Sequence, residues 1–592
     1  MPGLFGVIAK TDGLSGRVLR SLAMRMADSM RHLPWLRVEI WGDERFCGGR
    51  VHLGVLNPSS QPMVNEDLTR VWFDGELYPS PSTTGTTPTA ENVLNLVAGS
   101  GTNLSEVDGV FALACFDPKK RELTLANDRL GYRPLYYTET EEWFAYAAEV
   151  KTLLAIRDKT PDLDEISLRQ FLGFGHMLGE RTWWNGIELI PPAVVWRLSP
   201  KGRTKHRYWT FAEIKREPAP ESEVHEEFAR LWSQAVKQRV KPGKMPLLLS
   251  GGLDSRLLLA ELREQGVDVA GITFGDAASA DMKIAKQCAC LAEIEHRSLP
   301  LTRENWWHGR EEAIWQTDGL NNLIDLHASI AKDEMHSGNF LSHLNLAGDT
   351  LFGGSKLEGV ASKDWQSDPQ NLLNHLYLEN PLFSKDEVTS VSMADAERYL
   401  DGPSSDCFIF RQRQRRCILY GALQLASHSE MVFPGVSLPL IRLILGSVRD
   451  EQRVMSGFYN RFLVTYYPTY FRNIPWTTTG RGLAEPFSMR IWRGVESGFS
   501  ALLGNNNKHY DGSFANYSKF LHFSKVKERL LSENLILDDC LHGAARRAVN
   551  QCHVNDSDRP YASGAYALAG ILTVETYLRQ VSDMPSVSSL QP

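Results

Sequence analysis

The stretch KMPLLLSGGLDSRLLLAEL, Lys244 to Leu262, decides how the chain is read. An apolar run, Leu247–Leu249, ends at Ser250-Gly251-Gly252-Leu253-Asp254-Ser255. A second apolar run follows at helical spacing from about Ser255 to Gln265, and Gly266 closes it. A glycine-rich turn between a buried strand and a helix lies where an open α/β sheet places its ligands. Glycines let a ligand approach the backbone closely. The N–H groups of the turn and of the helix N-terminus favour an anion there. Ser250 and Ser255 add hydroxyl donors. The carboxylate of Asp254 would repel a phosphate unless a cation lay between them, which points to Mg²⁺. The turn lacks the Gly-Lys-Ser/Thr ending of a Walker-type loop. The plain alternative is a βα turn with a capping serine.

Outward from this turn the chain changes texture. Its 592 residues exceed one core, so two or more domains are expected. The net charge of −7 gives no case for bulk nucleic-acid or membrane binding. The eight cysteines form no CxxC pair, which argues against zinc ribbons and fits reduced thiols in a cytoplasm. No apolar run reaches membrane-spanning length. The first 200 or so residues are β-rich, with strand-like runs GRVHLGVL, RVWFDGELY, GVFALACFD, RELTLAND and WFAYAAEV. The polar stretch around Pro218 and Pro220 reads as a linker. Beyond it, Ser222 is placed to cap a helix whose apolar face is Val224, Phe228, Leu231, Trp232, Ala235 and Val236. Strands at Leu247–Leu249, VAGITF and NFLSHLNLAGD, with a helix over about 281–291, give the alternation of a parallel sheet. Residues 370–580 read as mostly helical, and the tail SDMPSVSSLQP as disordered.

SGGLDS resembles the pyrophosphate-binding loop (PP-loop) of ATP pyrophosphatases, which adenylate a substrate and release pyrophosphate. A second segment, LAGDTLFGGSKL, resembles the GxxxDExFGGY segment of the asparagine synthetase family, at a similar distance from the loop. That resemblance implies ATP and Mg²⁺, with the metal on Asp254 and Asp349. It implies a nucleotide site of Leu249, Ser250, Gly251, Gly252, Leu253, Asp254, Ser255 and Gly348, with Phe274 and Gly275 flanking the adenosine. The implied fold combines α/β and α+β parts in two domains. Residues 1–210 would be an Ntn-type αββα sandwich, a degenerate glutamine amidotransferase-like domain. Residues 220–580 would be a parallel α/β PP-loop synthetase with a helical C-terminal portion, followed by a tail over 581–592.

The N-terminal residues depart from that family. Asparagine synthetases open Met-Cys-Gly-Ile-Phe-Gly, with the cysteine as the glutamine-hydrolysing nucleophile, whereas this chain opens MPGLFG. Pro2 has no nucleophilic side chain. Arg50 falls at the family's glutamine-carboxylate arginine. Asp74 replaces an oxyanion-stabilising asparagine, where a carboxylate opposes the developing charge. TTPTAENVL has no aspartate where the family holds the glutamine amine. In the second half, Leu346 takes the place of the family's base for ammonia. IPWTTTGRGLAEP has no lysine, and Arg481 is its nearest cation for the acyl-phosphate, with a surface arginine as the plainer reading. His343, before Asp349, is a candidate base, with a core histidine as the plainer reading. The arginine-rich run FRQRQRRCILYGAL reads as a phosphate or acidic-peptide contact, or more simply as a solvated helix face. Pro434 falls at a family proline, and Ser437 replaces its aspartate.

A lost glutaminase beside an intact PP-loop resembles two branches, the β-lactam synthetases and the lasso-peptide macrolactam synthetases. The aromatic YYPTYFRNIPW segment and the divergent C-terminal half look more like the lasso cyclases. The implied reaction adenylates an Asp or Glu side chain of a leader-free peptide, which the peptide's own N-terminal amine then attacks. The implied partners are that peptide, a leader peptidase and a leader-recognition protein. Ring closure of a small amino acid, and a nucleotide-binding scaffold without chemistry, are the alternatives.

Overall fold

The computed structural model describes residues 2–78, 89–99, 101–335, 338–341, 348–353, 368–454, 457–484, 515, 517, 520, 521, 535–540, 543–551 and 563–584. Twelve strands build the N-terminal sandwich: β1 (Gly3–Ala9), β2 (Arg37–Gly42), β3 (Phe46–His52), β4 (Met63–Val64), β5 (Arg70–Gly75), β6 (Phe111–Asp117), β7 (Glu122–Asn127), β8 (Tyr136–Glu139), β9 (Trp143–Ala147), β10 (Glu188–Leu189), β11 (Val194–Ser199) and β12 (Gly202–Arg207). They form two antiparallel sheets, ordered β10-β8-β9-β1-β3-β2 and β12-β11-β7-β6-β5-β4. Strands β1, β6, β7 and β9 are buried on both faces, and β1, β6 and β9 read as nearly unbroken apolar runs. On β6, Ala112, Ala114 and Phe116 meet Leu4, Phe46 and Phe144 between the sheets. Phe111, Leu113 and Cys115 point the other way, into a second core. Helix α1 (Gly16–Met30), capped by the Ser15 side chain on Val18 N–H, buries Leu19, Ala23, Met26 and Met30 over the first sheet. Helix α2 (Ala90–Leu96) covers β5 of the second sheet. The layers are therefore α, β, β, α. Helices α3 (Val150–Leu154) and α4 (Glu165–Phe174) follow.

The expected capping serine is not the cap of helix α5 (Glu221–Arg239). Pro220, with its fixed φ of −55°, is the N-cap, and Ser222 falls inside the first turn. Every expected apolar residue of that helix is buried. The proline-bearing stretch before it is anchored rather than loose. Glu217 N donates to Gly446 O at 2.9 Å and Ala219 N to Ser447 O at 3.1 Å.

Strand β13 (Met245–Leu248), helix α6 (Leu253–Glu264), strand β14 (Val269–Gly275), helix α7 (Ala280–Leu291) and strand β15 (Glu295–Pro300) follow in alternation. The three strands pair in parallel, in that order. Helix α8 is Arg310–Gln316. Strand β16 (Gly338–Leu341) pairs in parallel with β17 (Ser429–Val432). The strand expected over NFLSHLNLAGD is thus short, and the rest of that run, with His343 and Leu346, lies outside the described residues. The tail expected over 581–592 starts too early, because a helix, Ser563–Ser582, runs into it and buries Val581, while residues beyond 584 lie outside the described ones. Described residues between 370 and 580 are mostly helical, with β17 the exception.

The arginine-rich run is not a solvated face. Residues Phe410–Ile418 form a π-helix with Arg411, Arg415 and Arg416 buried. Arg415 Nη2 donates to Ile190 O at 2.6 Å, and Arg416 donates to the Met177 and Arg181 carbonyls. These cations hold backbone carbonyls of the N-terminal half, a use that local charge counting does not reveal.

A second joint is electrostatic. Asp318, at φ +53°, accepts from Val150 N (2.8 Å), Lys151 N (3.0 Å) and Lys151 Nζ (3.2 Å). A residue of the second half thereby caps α3 of the first. Lys151 Nζ also lies 2.9 Å from Glu149, and all three side chains are fully buried.

Candidate functional site

The loop after β13 is held open by its own serines. Ser250 N donates to Ser255 Oγ at 3.0 Å, and the two hydroxyls lie 3.0 Å apart. Gly252 N donates to Ser250 Oγ at 3.1 Å. Leu249 N donates to Ile272 O, which extends β13 toward β14. Gly252 is the N-cap of α6 and offers no side chain, so the first N–H groups of a 12-residue helix have no side-chain cap. Uncapped donors, a helix dipole and two hydroxyls together suit an anion such as pyrophosphate.

Asp254 is the acidic residue of this turn. It is 8 % exposed, and its Oδ1 accepts from Tyr459 OH at 2.9 Å. Gly348 presses directly on it. A Cβ at Gly348 would sit 2.3 Å from the Asp254 carboxyl carbon. Gly348 opens a π-helical turn, Gly348–Phe352, which carries Asp349. The fold therefore brings the two segments picked out in the sequence into contact, almost a hundred residues apart along the chain. The turn is braced from behind, because Gln414 Nε2 donates to Thr350 Oγ1 at 2.6 Å and Arg453 Nη1 to Leu351 O at 2.8 Å. A hard carboxylate oxygen at Asp254, beside a turn bearing a second aspartate, is the donor chemistry that Mg²⁺ takes.

Phe274 and Gly275 end β14, the strand next to the loop. The Phe274 ring lies 5.3 Å from His327, whose imidazole burial drives down to about 3, so it stays neutral. Arg481 sits in a tight turn, with Trp476 N donating to Arg481 O at 2.7 Å. That turn lies over the loop, since a Cβ at Gly251 would meet the Thr477 methyl at 2.4 Å. Arg256, on α6, ties the same segment down by donating to Pro475 O at 3.2 Å.

Two loop neighbours escaped the sequence reading. Asp281 Oδ1 accepts the Gly251 N–H at 2.8 Å. Burial raises its carboxyl to about 6, against the opposing pull of that hydrogen bond and of Arg256. The only hint was its place at the start of the helix after the adjacent strand. Tyr459 lies over two hundred residues from Asp254, and nothing local marks it.

At the N-terminal end, Arg50 and Asp74 are each paired with another charged side chain. Around Pro2 and Asp74 the free space is about 20 Å³, bounded by Arg133 and Glu430. Arg133 lies 3.8 Å from Asp74, and Glu430 accepts from Leu56 N. Arg50 is buried and fully engaged by Glu39 and the carbonyls of Asn57 and Ser59. Gly75 N donates to Asn57 Oδ1 at 3.0 Å.

Fold and loop together define a class: a glutamine amidotransferase-type sandwich joined to an asparagine synthase-type α/β unit. Residues 1–209 match the glutamine amidotransferase domain family, and residues 227–405 match the asparagine synthase family. Asparagine synthetase 3 of Bacillus subtilis (strain 168) is 26% identical over 253 residues, 40% of this chain and 41% of that protein. The asparagine synthetase of Rattus norvegicus is 26% identical over 350 residues, 54% of this chain and 59% of that protein. The chain thus spans between two-fifths and three-fifths of these relatives. A solved glutamine phosphoribosylpyrophosphate amidotransferase from B. subtilis aligns over 50% of this chain and 65% of its own. Its identity is 12% and its TM-score 0.24, a likeness that carries no argument. Among the described residues no helix is long and apolar enough to cross a membrane.

Proposed function

We propose that this chain is an ATP-dependent ligase that forms a C–N bond without hydrolysing glutamine. Its substrate would be a leader-free peptide whose Asp or Glu side chain is adenylated and then attacked by the peptide's own N-terminal amine. The observation that carries this reading is the pairing of Pro2, which has no nucleophilic side chain, with an intact loop, Ser250–Ser255, whose Asp254 meets the Asp349 turn. A thiolate is absent where the family's nucleophile stands, so ammonia has no local source and an amine must come with the substrate.

Within this reading, the N-terminus of α6 and the hydroxyls of Ser250 and Ser255 bind the β and γ phosphates of substrate ATP. Phe274 and Gly275 border its adenosine. Asp254 and Asp349 would hold a Mg²⁺, which supplies charge neutralisation between them and the phosphates. Tyr459 orients the Asp254 carboxylate. The Trp476–Arg481 turn covers the loop and excludes water, and Arg481 supplies positive charge near the reacting carboxyl. The carboxylate oxygen bonds to the α phosphorus as the bond to pyrophosphate breaks. The amine nitrogen then bonds to the acyl carbon as AMP leaves with its electron pair, and the amine loses a proton. Holding both ends of one peptide together is an entropic task that a large mould serves. A leader peptidase and a leader-recognition protein would prepare the peptide, in the cytoplasm.

ATP–pyrophosphate exchange tests the proposal, run with purified protein against aspartate, small β-amino acids and leader-free peptides bearing an internal Asp or Glu. Exchange with peptide alone, plus a product lighter by one water, is the expected result. Exchange with a small amino acid would move the chain to β-lactam-type ring closure. An Asp254→Asn variant as active as its parent would remove the metal assignment.

A further inference from the structure

The chain is acidic overall, yet one sheet edge is strongly basic. Strand β12 reads Gly-Arg-Thr-Lys-His-Arg, and all six residues are exposed. It is the end strand of its sheet, and among the described residues only β11 pairs with it. Tyr208 N donates to Ala193 O at 2.9 Å. In an antiparallel ladder the bonded pairs alternate, so His206, Thr204 and Gly202 also face β11. Val194 N, which donates the other way to Asn127 Oδ1, obeys the same alternation. Arg203, Lys205 and Arg207 therefore turn their backbone N–H and C=O groups outward.

Their side chains share one face, at a period of two. The Trp196 ring forms a shelf beneath two of them, with the Arg203 guanidinium 5.4 Å and Lys205 Nζ 4.1 Å from its centroid. Beyond Gly202 the edge opens into a cavity of about 430 Å³. Lys10, Arg45, Arg121 and Arg203 line it against Asp12 and Glu139, an excess of two positive charges. At the other end, Arg207 lies 5.7 Å from the Tyr399 ring, which bounds the edge.

We infer that β12 is a docking edge for an extended acidic peptide, which adds as a further strand with Asp or Glu at every second position. The outward carbonyls select a peptide over a nucleic acid, because phosphates accept hydrogen bonds and cannot donate to them. Lysine and arginine on an edge also deter chance pairing between strands. A partner with alternating acids cancels that repulsion, so the deterrent doubles as the selector.

Fluorescence anisotropy at low ionic strength tests this on the full chain. The probes are a labelled peptide alternating Glu and Val, a scrambled-order peptide of the same composition, and a single-stranded DNA of equal charge. The alternating peptide is expected to bind most tightly. Lys205→Pro removes an outward N–H but no β11 hydrogen bond, and should weaken binding by about tenfold. Lys205→Ala, which keeps the N–H, should weaken it by only about threefold. The double reversal Arg203→Glu with Lys205→Glu should transfer preference to a Lys–Val alternating peptide, a gain that a misfolded variant would not show. Equal binding of DNA, an unaffected Lys205→Pro variant, no transfer of preference, or no binding at all would overturn the inference.

Discussion

Replacing Gly348 by alanine is the most direct probe of how the Asp349 turn meets the loop. The new methyl carbon would lie 2.3 Å from the Asp254 carboxyl carbon and 2.4 Å from Oδ2, whereas ordinary contact begins near 3.4 Å. The two segments must part by about 1 Å. Neither yields easily: Asp254 is buried and held by Tyr459, and the turn is braced through Thr350 and Leu351. A misplacement of about 1 Å in a catalytic constellation lowers rate by roughly a hundredfold, or about 2.7 kcal/mol of transition-state stabilisation. Overpacking by one methyl also costs about 1–3 kcal/mol of stability, which leaves a chain of ordinary stability folded. Exchange kinetics alongside thermal unfolding separate the two effects. Parental exchange within a few-fold in Gly348→Ala, with Asp254→Asn silent, would refute the claim that the two segments act as one site.

Three further outcomes follow from the geometry. Asp318→Ala should destabilise the chain by about 3–5 kcal/mol, because it uncaps α3 and strips the buried Lys151 of one carboxylate; denaturant unfolding measures it. Burial holds the Asp281 carboxyl at about 6, above its ordinary 3.8, so the stability given by its neutral form is complete below about pH 4 and lost as pH rises through 6. The stability of Asp281→Asn relative to the parent should therefore rise across that window, and a flat difference would place the carboxylate in water. Pro2→Cys alone should release no glutamate from glutamine, since the Asp74 carboxylate opposes a developing oxyanion and the Gly75 N–H is already donated to Asn57; a glutaminase assay checks it.

What was legible in the sequence was local. The SGGLDS turn announces itself through six consecutive residues, and Gly348-Asp349 through the glycines around it. Five of the twelve sandwich strands, β3, β5, β6, β7 and β9, were visible as strand-like runs, while the remainder, such as the polar, exposed β12, were not. What stayed hidden depends on distant packing. Asp281, Tyr459 and Thr477 reach the loop only through the fold, and no spacing in the chain foretells them. The buried arginines of 411–416 misled for a related reason: charge density in a sequence does not say whether carbonyls wait nearby. Ser222 missed the cap by two residues because a proline with fixed φ set the turn first.

The cap on α3 bears on what keeps the two halves of the chain together. Asp318 sits in backbone space that side chains seldom enter, and its carboxylate is spent on the end of another domain's helix. Cut apart, the first half would lose the carboxylate that caps α3 and pairs with Lys151, and the second would keep an aspartate in left-handed backbone with nothing to hold. The sandwich is then one leaf of a hinge plate, and each leaf carries the other's fastening.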